Sequence, residues 1–229
     1  MDVEEQFSHL ASLIGEPARS KMLWSLLDGR AFTATELSLM ADVSPQSGSM
    51  HLNKLVQAEL LVVERQGRHR YYKFSSRNVA YAIEAIANLL PAEKAVSKDN
   101  LLANGHIKFC RSCYDHLAGK MGVALTDSLL KQDLIAAEGS QYKVTNPGVK
   151  WFTQLGVDIA ELKTRRRVFA RQCLDWSERR HHMAGSLGAV LLEKMLAEDW
   201  IRKTKNSRAL VITAKGEKKL YELLGLTIS

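Results

Sequence analysis

One pattern occurs twice in the second half of this chain, and it sets the strongest limit on how that half can fold. Phe109-x-Arg111-x-Cys113-x-Asp115 returns as Phe169-x-Arg171-x-Cys173-x-Asp175. His116-Leu-Ala-Gly-Lys-Met-Gly122 returns as His182-Met-Ala-Gly-Ser-Leu-Gly188, after an insertion running from Trp176 to His181. Further along, Val144-Thr145-Asn-Pro-Gly-Val-Lys150 corresponds to Ile212-Thr213-Ala-Lys-Gly-Glu-Lys218, and the copies end in Leu-Gly at Gly156 and Gly225. A unit of this size is too small to bury its own apolar face, so the two copies are expected to pack on each other as a pseudo-symmetric pair. Each copy reads as a long helix, a short β-hairpin and a second helix, the last begun by Thr145/Asn146 or by Thr213 as N-cap.

If the copies face one another about a two-fold axis, Cys113 with Cys173 and His116 with His182 converge. Cys110, Asp115, Asp175 and His181 are close enough in sequence to be further ligands. Thiolates and neutral imidazoles suit zinc or another transition metal of borderline softness, and thiolates alone suit a redox sensor. Cys110-x-x-Cys113 has a ligand-like spacing, although no second Cys-x-x-Cys exists. Against a site, cysteine is among the most buried residue types, and a repeated Cys or His can satisfy the same packing twice. A structural role, a metal, and thiol chemistry or a small organic ligand all stay open at this level. Three cysteines do not make a disulfide framework, and a reducing, cytoplasmic setting is expected.

The first half carries a different signal. Helical periodicity runs through Phe7, Leu10 and Ile14, and again through Met22, Leu23, Leu26 and Leu27, with Gly15-Glu16-Pro17 between. Thr33 or Thr35 is placed to cap a short helix carrying Leu37 and Met40. Asp42-Val43-Ser44-Pro45 is then a compact turn, with Ser44 as cap and Pro45 at the first helical position. The helix that follows, to about Ala58, divides by face. Gly48, Leu52, Leu55 and Val56 form the inward stripe. Gln46, Ser47, Ser49, Met50, Asn53, Lys54 and Gln57 form the other, where amides match adenine edges and hydroxyls serve bases or phosphates. By itself such a face is most simply a solvated one. Directly afterwards, Leu60 to Arg65 and Arg70 to Phe74 read as two strands joined at Gln66-Gly67-Arg68-His69. Arg65, Arg68, Arg70, Lys73 and Arg77 set five cations on or beside that hairpin, a density suited to phosphates flanking a groove.

Charge is less decisive than this local arrangement. The chain carries a net +7, but residues 1–91 hold nine basic and ten acidic side chains, and the excess lies in 92–229. Lys163, Arg165, Arg166, Arg167 and Arg171, then Arg179 and Arg180, then Arg202, Lys203 and Lys205, form basic clusters there that are either solvated helix faces or contacts to flanking DNA. Hydrophobic residues make up 46% of the 229, enough for a real core, and no apolar run reaches the ~18 residues of a membrane span. The opening Met-Asp-Val-Glu-Glu-Gln-Phe lacks the pattern of a signal peptide.

Thr35 to Val62 and the Arg65-Gln-Gly-Arg68-His-Arg70-Tyr-Tyr-Lys-Phe74 that follows together resemble the ArsR/SmtB family of repressors, over residues ~5–91. The resemblance implies a winged helix-turn-helix on double-stranded DNA and a homodimer formed by the first and last helices of the domain. Here those are residues ~4–14 and Val79 to Leu90, with Ala80, Ile83, Ile86, Ala87 and Leu90 as the apolar stripe. The resemblance also implies metal sites, built on cysteines in the helix before the turn or on Asp and His in the last helix, but Glu36-Leu-Ser-Leu-Met-Ala41 holds no cysteine and Asn78 to Pro91 holds neither Asp nor His. A small-molecule or metal effector site is therefore expected elsewhere, in the second half, or is absent. The fold expected is mainly α with small β-hairpins: a winged helix-turn-helix at 1–91, a linker at 92–107, and a pseudo-repeated helical, winged-helix-like domain at 108–229. The function expected is a dimeric, sequence-specific repressor released from its operator by an effector. The rival is a thiol- or metal-dependent enzyme fused to a DNA-binding module, against which no nucleotide loop, Gly-x-Ser-x-Gly or His-Glu-x-x-His motif appears.

Overall fold

The structure is a computed structural model that describes residues 2–89, 106–205 and 207–228. Leu90 and most of the expected linker, 92–107, lie outside the described residues. The chain divides into two units, Met1–Ala87 and Asn88–Ser229.

In the first unit, α1 (Val3–Gly15) and α2 (Pro17–Leu26) meet at Glu16. That side chain caps α2 by accepting from the amides of Ala18 and Arg19, and Pro17 takes the first helical position. Arg19, almost fully buried, donates to the carbonyls of Ser12 and Leu13, satisfying orphan acceptors at the end of α1. Thr33, at the end of β1 (Phe32–Thr33), caps α3 (Ala34–Ala41) in a reciprocal capping box with Glu36. Asp42, in the left-handed conformation, ends α3, and Ser44 caps α4 (Pro45–Gln57) through the amide of Ser47. His51 of α4 lies 3.3 Å from Glu16, which ties α4 to the start of α2. β2 (Leu61–Gln66) and β3 (His69–Phe74) form the wing, β1 pairs with β3, and α5 (Arg77–Ala87) closes the unit. Its core is Met22, Leu23, Leu26, Leu27, Leu37, Leu52, Leu55 and Leu61.

The second unit differs from expectation at one point. Each copy does not begin with a long helix. It begins with a hairpin, and the helix follows. In the first copy the hairpin is β4 (Arg111–Cys113) with β5 (His116–Ala118), then α6 (Gly119–Lys131), β6 (Ile135–Glu138), β7 (Gln141–Val144) and α7 (Asn146–Gln154). After α8 (Ile159–Thr164) the second copy gives β8 (Arg171–Leu174), β9 (His181–Ala184), α9 (Gly185–Ala197), β10 (Ile201–Lys203), β11 (Leu210–Ile212) and α10 (Ala214–Leu224). Three- and four-residue strands carry too little periodicity to be separated from the helix that follows them.

The copies exchange strands. The amide of Tyr142 on β7 donates to the carbonyl of Ala170, and that of Gln172 donates to Ser140, so the first copy's β6–β7 extends into the second copy's β8–β9 as a four-stranded sheet. Reciprocally, Leu210 donates to Cys110 and Ser112 donates to Arg208, joining the second copy's β10–β11 to the first copy's β4 through an Arg111–Ala209 bridge. Every member of one exchange is the repeat equivalent of a member of the other.

Among the described residues, the helix–hairpin–helix passages that follow α4, α6 and α9 use one local device. The residue after the helix C-cap is left-handed at Glu59, Asp133 and Asp199, and the next amide returns to the helix, as Leu60 to Leu55, Leu134 to Leu129 and Trp200 to Met195. The hydroxyl that ends each hairpin, Ser75, Thr145 or Thr213, donates back to the carbonyl of the left-handed residue. This is the physical content of the repeated Val/Ile-Thr-x-x-Gly. The Thr hydroxyl also accepts from the amide of that glycine, 3.0 Å away in both copies.

Two pairs of glycines hold the exchange together. Gly119 and Gly185 start α6 and α9 with φ near +80°, a conformation glycine adopts without penalty. Gly122 and Gly188 let each helix lie against the chain leaving the hairpin and against the other copy's histidine. A Cβ on Gly188 would stand 2.4 Å from the Met183 carbonyl oxygen and 3.2 Å from Cβ of His116, and one on Gly122 would stand 2.5 Å from the Leu117 carbonyl oxygen. Backbone atoms cannot yield as flexible side chains do. Gly122→Ala and Gly188→Ala are each expected to destabilise by about 1–3 kcal/mol, read as a lowered midpoint in thermal melts. Gly15→Ala, with open space around it, is expected to leave the midpoint unchanged or slightly raised.

Candidate functional site

On α4, Gln46, Ser49, Met50, Asn53 and Lys54 are exposed and Ser47 is half-buried, whereas Gly48, Leu52 and Leu55 are buried. The outward face is thus polar except for Met50, and Ser49 turns its hydroxyl to the carbonyl of Pro45. Arg65, Arg68 and Arg70 on the wing are all exposed. Register places Arg65 directly opposite Arg70 across β2–β3. Like charges in that relation repel, so the wing sustains a local cost that an anion would relieve. The cation density is lower than the sequence suggested, because Lys73 forms an ion pair with Glu64 across the same hairpin. That acid lies before the basic stretch, and only strand pairing brings it alongside.

The expected apolar stripe on the last helix is split. Ala80, Ile83 and Ala87 of α5 face the unit's own core, while Ile86 is 44% exposed and Leu89 beyond the helix is 82% exposed. On α1, Val3 at 82% and Phe7 at 72% are exposed together with Leu10, one helical face without apolar cover among the described residues.

In the second unit, strand register sets Cys113 opposite His116 and Cys173 opposite His182. The strand exchange brings these two pairs together. The Nε2 atoms of His116 and His182 are 3.0 Å apart, the Sγ atoms of Cys113 and Cys173 are 4.0 Å apart, and the four ligand atoms all lie within 4.8 Å of one another. Cys113, His116 and His182 are buried and Cys173 is half-buried. Cys110 does not join them. It belongs to the apolar core, and burial pushes its thiol up to about 12. His181 is exposed.

Asp115 and Asp175 are not in the cluster but behind it. Nδ1 of His116 is 3.3 Å from Asp115, which also pairs with Arg167 at 2.8 Å. Nδ1 of His182 is 3.6 Å from Asp175, which pairs with Arg111 at 2.8 Å. Asp175 further accepts from the amides of Gly119, Ser177 and Glu178, and Arg111 stacks over Trp176. Burial opposes ionisation of Asp175, but Arg111 and then His182 hold it down at about 2. Burial likewise opposes charge on His116, yet its contacts with Asp115 and Cys173 push it up to about 9. Desolvation holds His182 below the usual imidazole range. The Cys173 thiol is pulled far below the ordinary thiol range, first by Cys113 and, against burial, by the two histidines. The cluster therefore favours thiolate at Cys173 and offers nitrogen and sulfur donors largely withdrawn from solvent.

Each basic cluster of this unit is partly paired with its own acids: Arg165 with Glu161, Arg167 with Asp115, Arg180 with Asp127 and Arg202 with Asp199. Among the described residues, no helix is long and apolar enough to cross a membrane.

Over 208 residues, 91% of this chain and 92% of the relative, the sequence is 43% identical to the uncharacterized HTH-type transcriptional regulator YdfF of Bacillus subtilis (strain 168). The chain belongs to the HTH-type transcriptional regulators. Its first unit is a winged helix-turn-helix, and 77 residues of this regulator are 34% identical to the transcriptional repressor SdpR of Bacillus subtilis (strain 168), covering 34% of the chain and 84% of the relative. Among solved structures, HlyU from Vibrio cholerae N16961 is 26% identical with a TM-score of 0.35, covering 39% of the regulator and 97% of its own chain. No family model matches the chain. The fused-enzyme alternative is not favoured by these relatives, which are regulators.

Asp175 is the side chain on which the buried polar layer of the regulator depends, since it compensates the fully buried Arg111. Asp175→Asn leaves that guanidinium without its counter-charge and is expected to cost on the order of 3–5 kcal/mol. The midpoint of urea unfolding measures it; an unshifted midpoint would mean that Arg111 is balanced by other groups.

Proposed function

We propose that the regulator is a homodimeric repressor whose second unit binds an effector that releases the first unit from DNA. The observation that carries the DNA reading is the exposed polar face of α4 beside a wing on which Arg65 and Arg70 stand opposite each other. Gln46, Ser47, Ser49, Met50 and Asn53 are assigned to base edges, and Lys54, Arg65, Arg68 and Arg70 to phosphates. Two such helices, one from each protomer, enter successive major grooves about 34 Å apart on a pseudo-palindromic operator. The exposed apolar face of α1, and the exposed Ile86 on α5, support a seam with a second copy. The effector is assigned to Cys113, His116, Cys173 and His182, and acts by favouring one geometry of the dimer over another.

Arg68→Ala and Arg70→Ala are expected to weaken binding to every duplex and to lower the salt dependence by about one phosphate each. Asn53→Ala is expected to relax discrimination at one base position at a cost of about 1–3 kcal/mol. Fluorescence anisotropy on operator and scrambled duplexes at several salt concentrations separates the two classes. Equal loss on both duplexes for Asn53→Ala would remove it from the base readers.

Phe7→Asp and Ile86→Asp place a charge on side chains already exposed in the protomer, so each protomer is expected to stay folded. Sedimentation should show a dimer becoming a monomer, with operator affinity falling in parallel. A wild-type protein that sediments as a monomer at micromolar concentration would rule out the seam.

A further inference from the structure

We infer that Cys113, His116, Cys173 and His182 form a tetrahedral site for one zinc ion, which clamps the hairpin of the first copy to the hairpin of the second. Three independent features of the site point the same way. The first is distance. With Zn–S of about 2.3 Å and Zn–N of about 2.0–2.1 Å, tetrahedral geometry separates two sulfurs by about 3.8 Å and two nitrogens by about 3.3 Å. The Sγ pair is at 4.0 Å, far beyond the ~2.05 Å of a disulfide, and the Nε2 pair is at 3.0 Å.

The second is orientation. Asp115 and Asp175 face the Nδ1 atoms of the two rings, and a carboxylate draws the ring N–H to its own side. Each Nε2 is thereby left with its lone pair toward the cluster. Two Nε2 atoms 3.0 Å apart are held together by a proton or by a metal cation between them, and a metal replaces the proton when both rings are neutral. Carboxylates behind metal-bound histidines are the usual supporting shell of such sites. The third is charge. Arg167 balances Asp115 and Arg111 balances Asp175, so the shell behind the rings is already neutral. Metal binding displaces the thiol protons, and the two thiolates that result match the two positive charges of one divalent ion. Two sulfurs and two imidazoles are a donor set of zinc-like softness, unlike the oxygen shells of calcium or magnesium.

A site of this kind also fits the strand exchange. Each copy contributes one Cys and one His from directly opposed strand positions, so neither copy holds more than half of the ligands. Occupancy requires both hairpins in register. Zinc binding builds on the reading of the second unit as the sensor, but it is measured without DNA, so the two can fail separately.

The full-length protein, reduced and stripped with a chelator, is titrated with Co2+ and then with Zn2+. The expected result is saturation at one equivalent per chain, with the visible ligand-field bands of tetrahedral cobalt and a thiolate-to-cobalt charge-transfer band, both erased by one equivalent of Zn2+. Cys113→Ser and His182→Gln should lose that signature, and Cys110→Ala should keep it. Asp115→Asn, a positioning change, should keep the spectrum and weaken affinity by about 10–100-fold. Because the wild-type titration needs no variant, poor folding of a mutant does not decide the matter; circular dichroism on each variant separates lost ligation from lost fold. A six-coordinate cobalt spectrum, or no uptake by the reduced wild-type protein, would overturn the site. Ready formation of a Cys113–Cys173 disulfide in a protein that takes up neither metal would overturn it in favour of a thiol switch.

Discussion

The reciprocal exchange of strands between the two copies of the second unit is the constraint on which the rest of that unit depends. Backbone amides of Tyr142 and Leu210, equivalent residues, reach the equivalent carbonyls of Ala170 and Cys110 in the opposite copy. A three-residue strand pair such as β4–β5 has little stability alone. Joined to the other copy's hairpin it gains further backbone partners, and the apolar faces of α6 and α9 close over it. The core that results, from Phe109 through Met183 to Leu224, is common to both copies.

Burial follows from that exchange, and the chemistry follows from burial. Arg111, Asp175, His116 and His182 are almost wholly withdrawn from solvent. Such groups are tolerated only when paired, and each here is paired across the copies or backed by a carboxylate. The same withdrawal separates the three cysteines. Cys110 points into hydrocarbon and is inert, while Cys173 faces two imidazoles and is inclined to thiolate.

The chain uses one helix–hairpin–helix device three times and to opposite ends. In the first unit α4 keeps Gln46, Ser49, Met50, Asn53 and Lys54 outward, so its helix is free to meet a groove. In the second unit α6 and α9 bury most of their length, from Gly119 to Leu129 and from Gly185 to Met195. Those helices are spent on the interface between copies. A winged-helix grammar therefore marks the local fold, and only the exposure of its middle helix says whether it can read DNA.

Much of this was legible in residue order. The caps at Thr33, Ser44, Thr145 and Thr213, the inward stripe of α4 and the wing follow from short-range chemistry, which one chain segment carries by itself. The repeat raised the expectation that Cys113 with Cys173 and His116 with His182 converge, since equivalent residues meet where they lie near a pseudo-two-fold axis. What sequence did not determine depends on contacts between distant segments. The hairpins β4–β5 and β8–β9 are too short to leave a period of their own. Asp115 and Asp175 carry the same repeat signature as the ligands, and only the direction of the strands sets them behind the rings. Glu64 neutralises Lys73, and Ile83 turns inward while Ile86 turns outward, because register and packing decide which side of a strand or helix meets its neighbour. Local order is written in the residues; which donor faces which acceptor across the fold is decided by the tertiary structure, since burial and register exist only once the copies have paired.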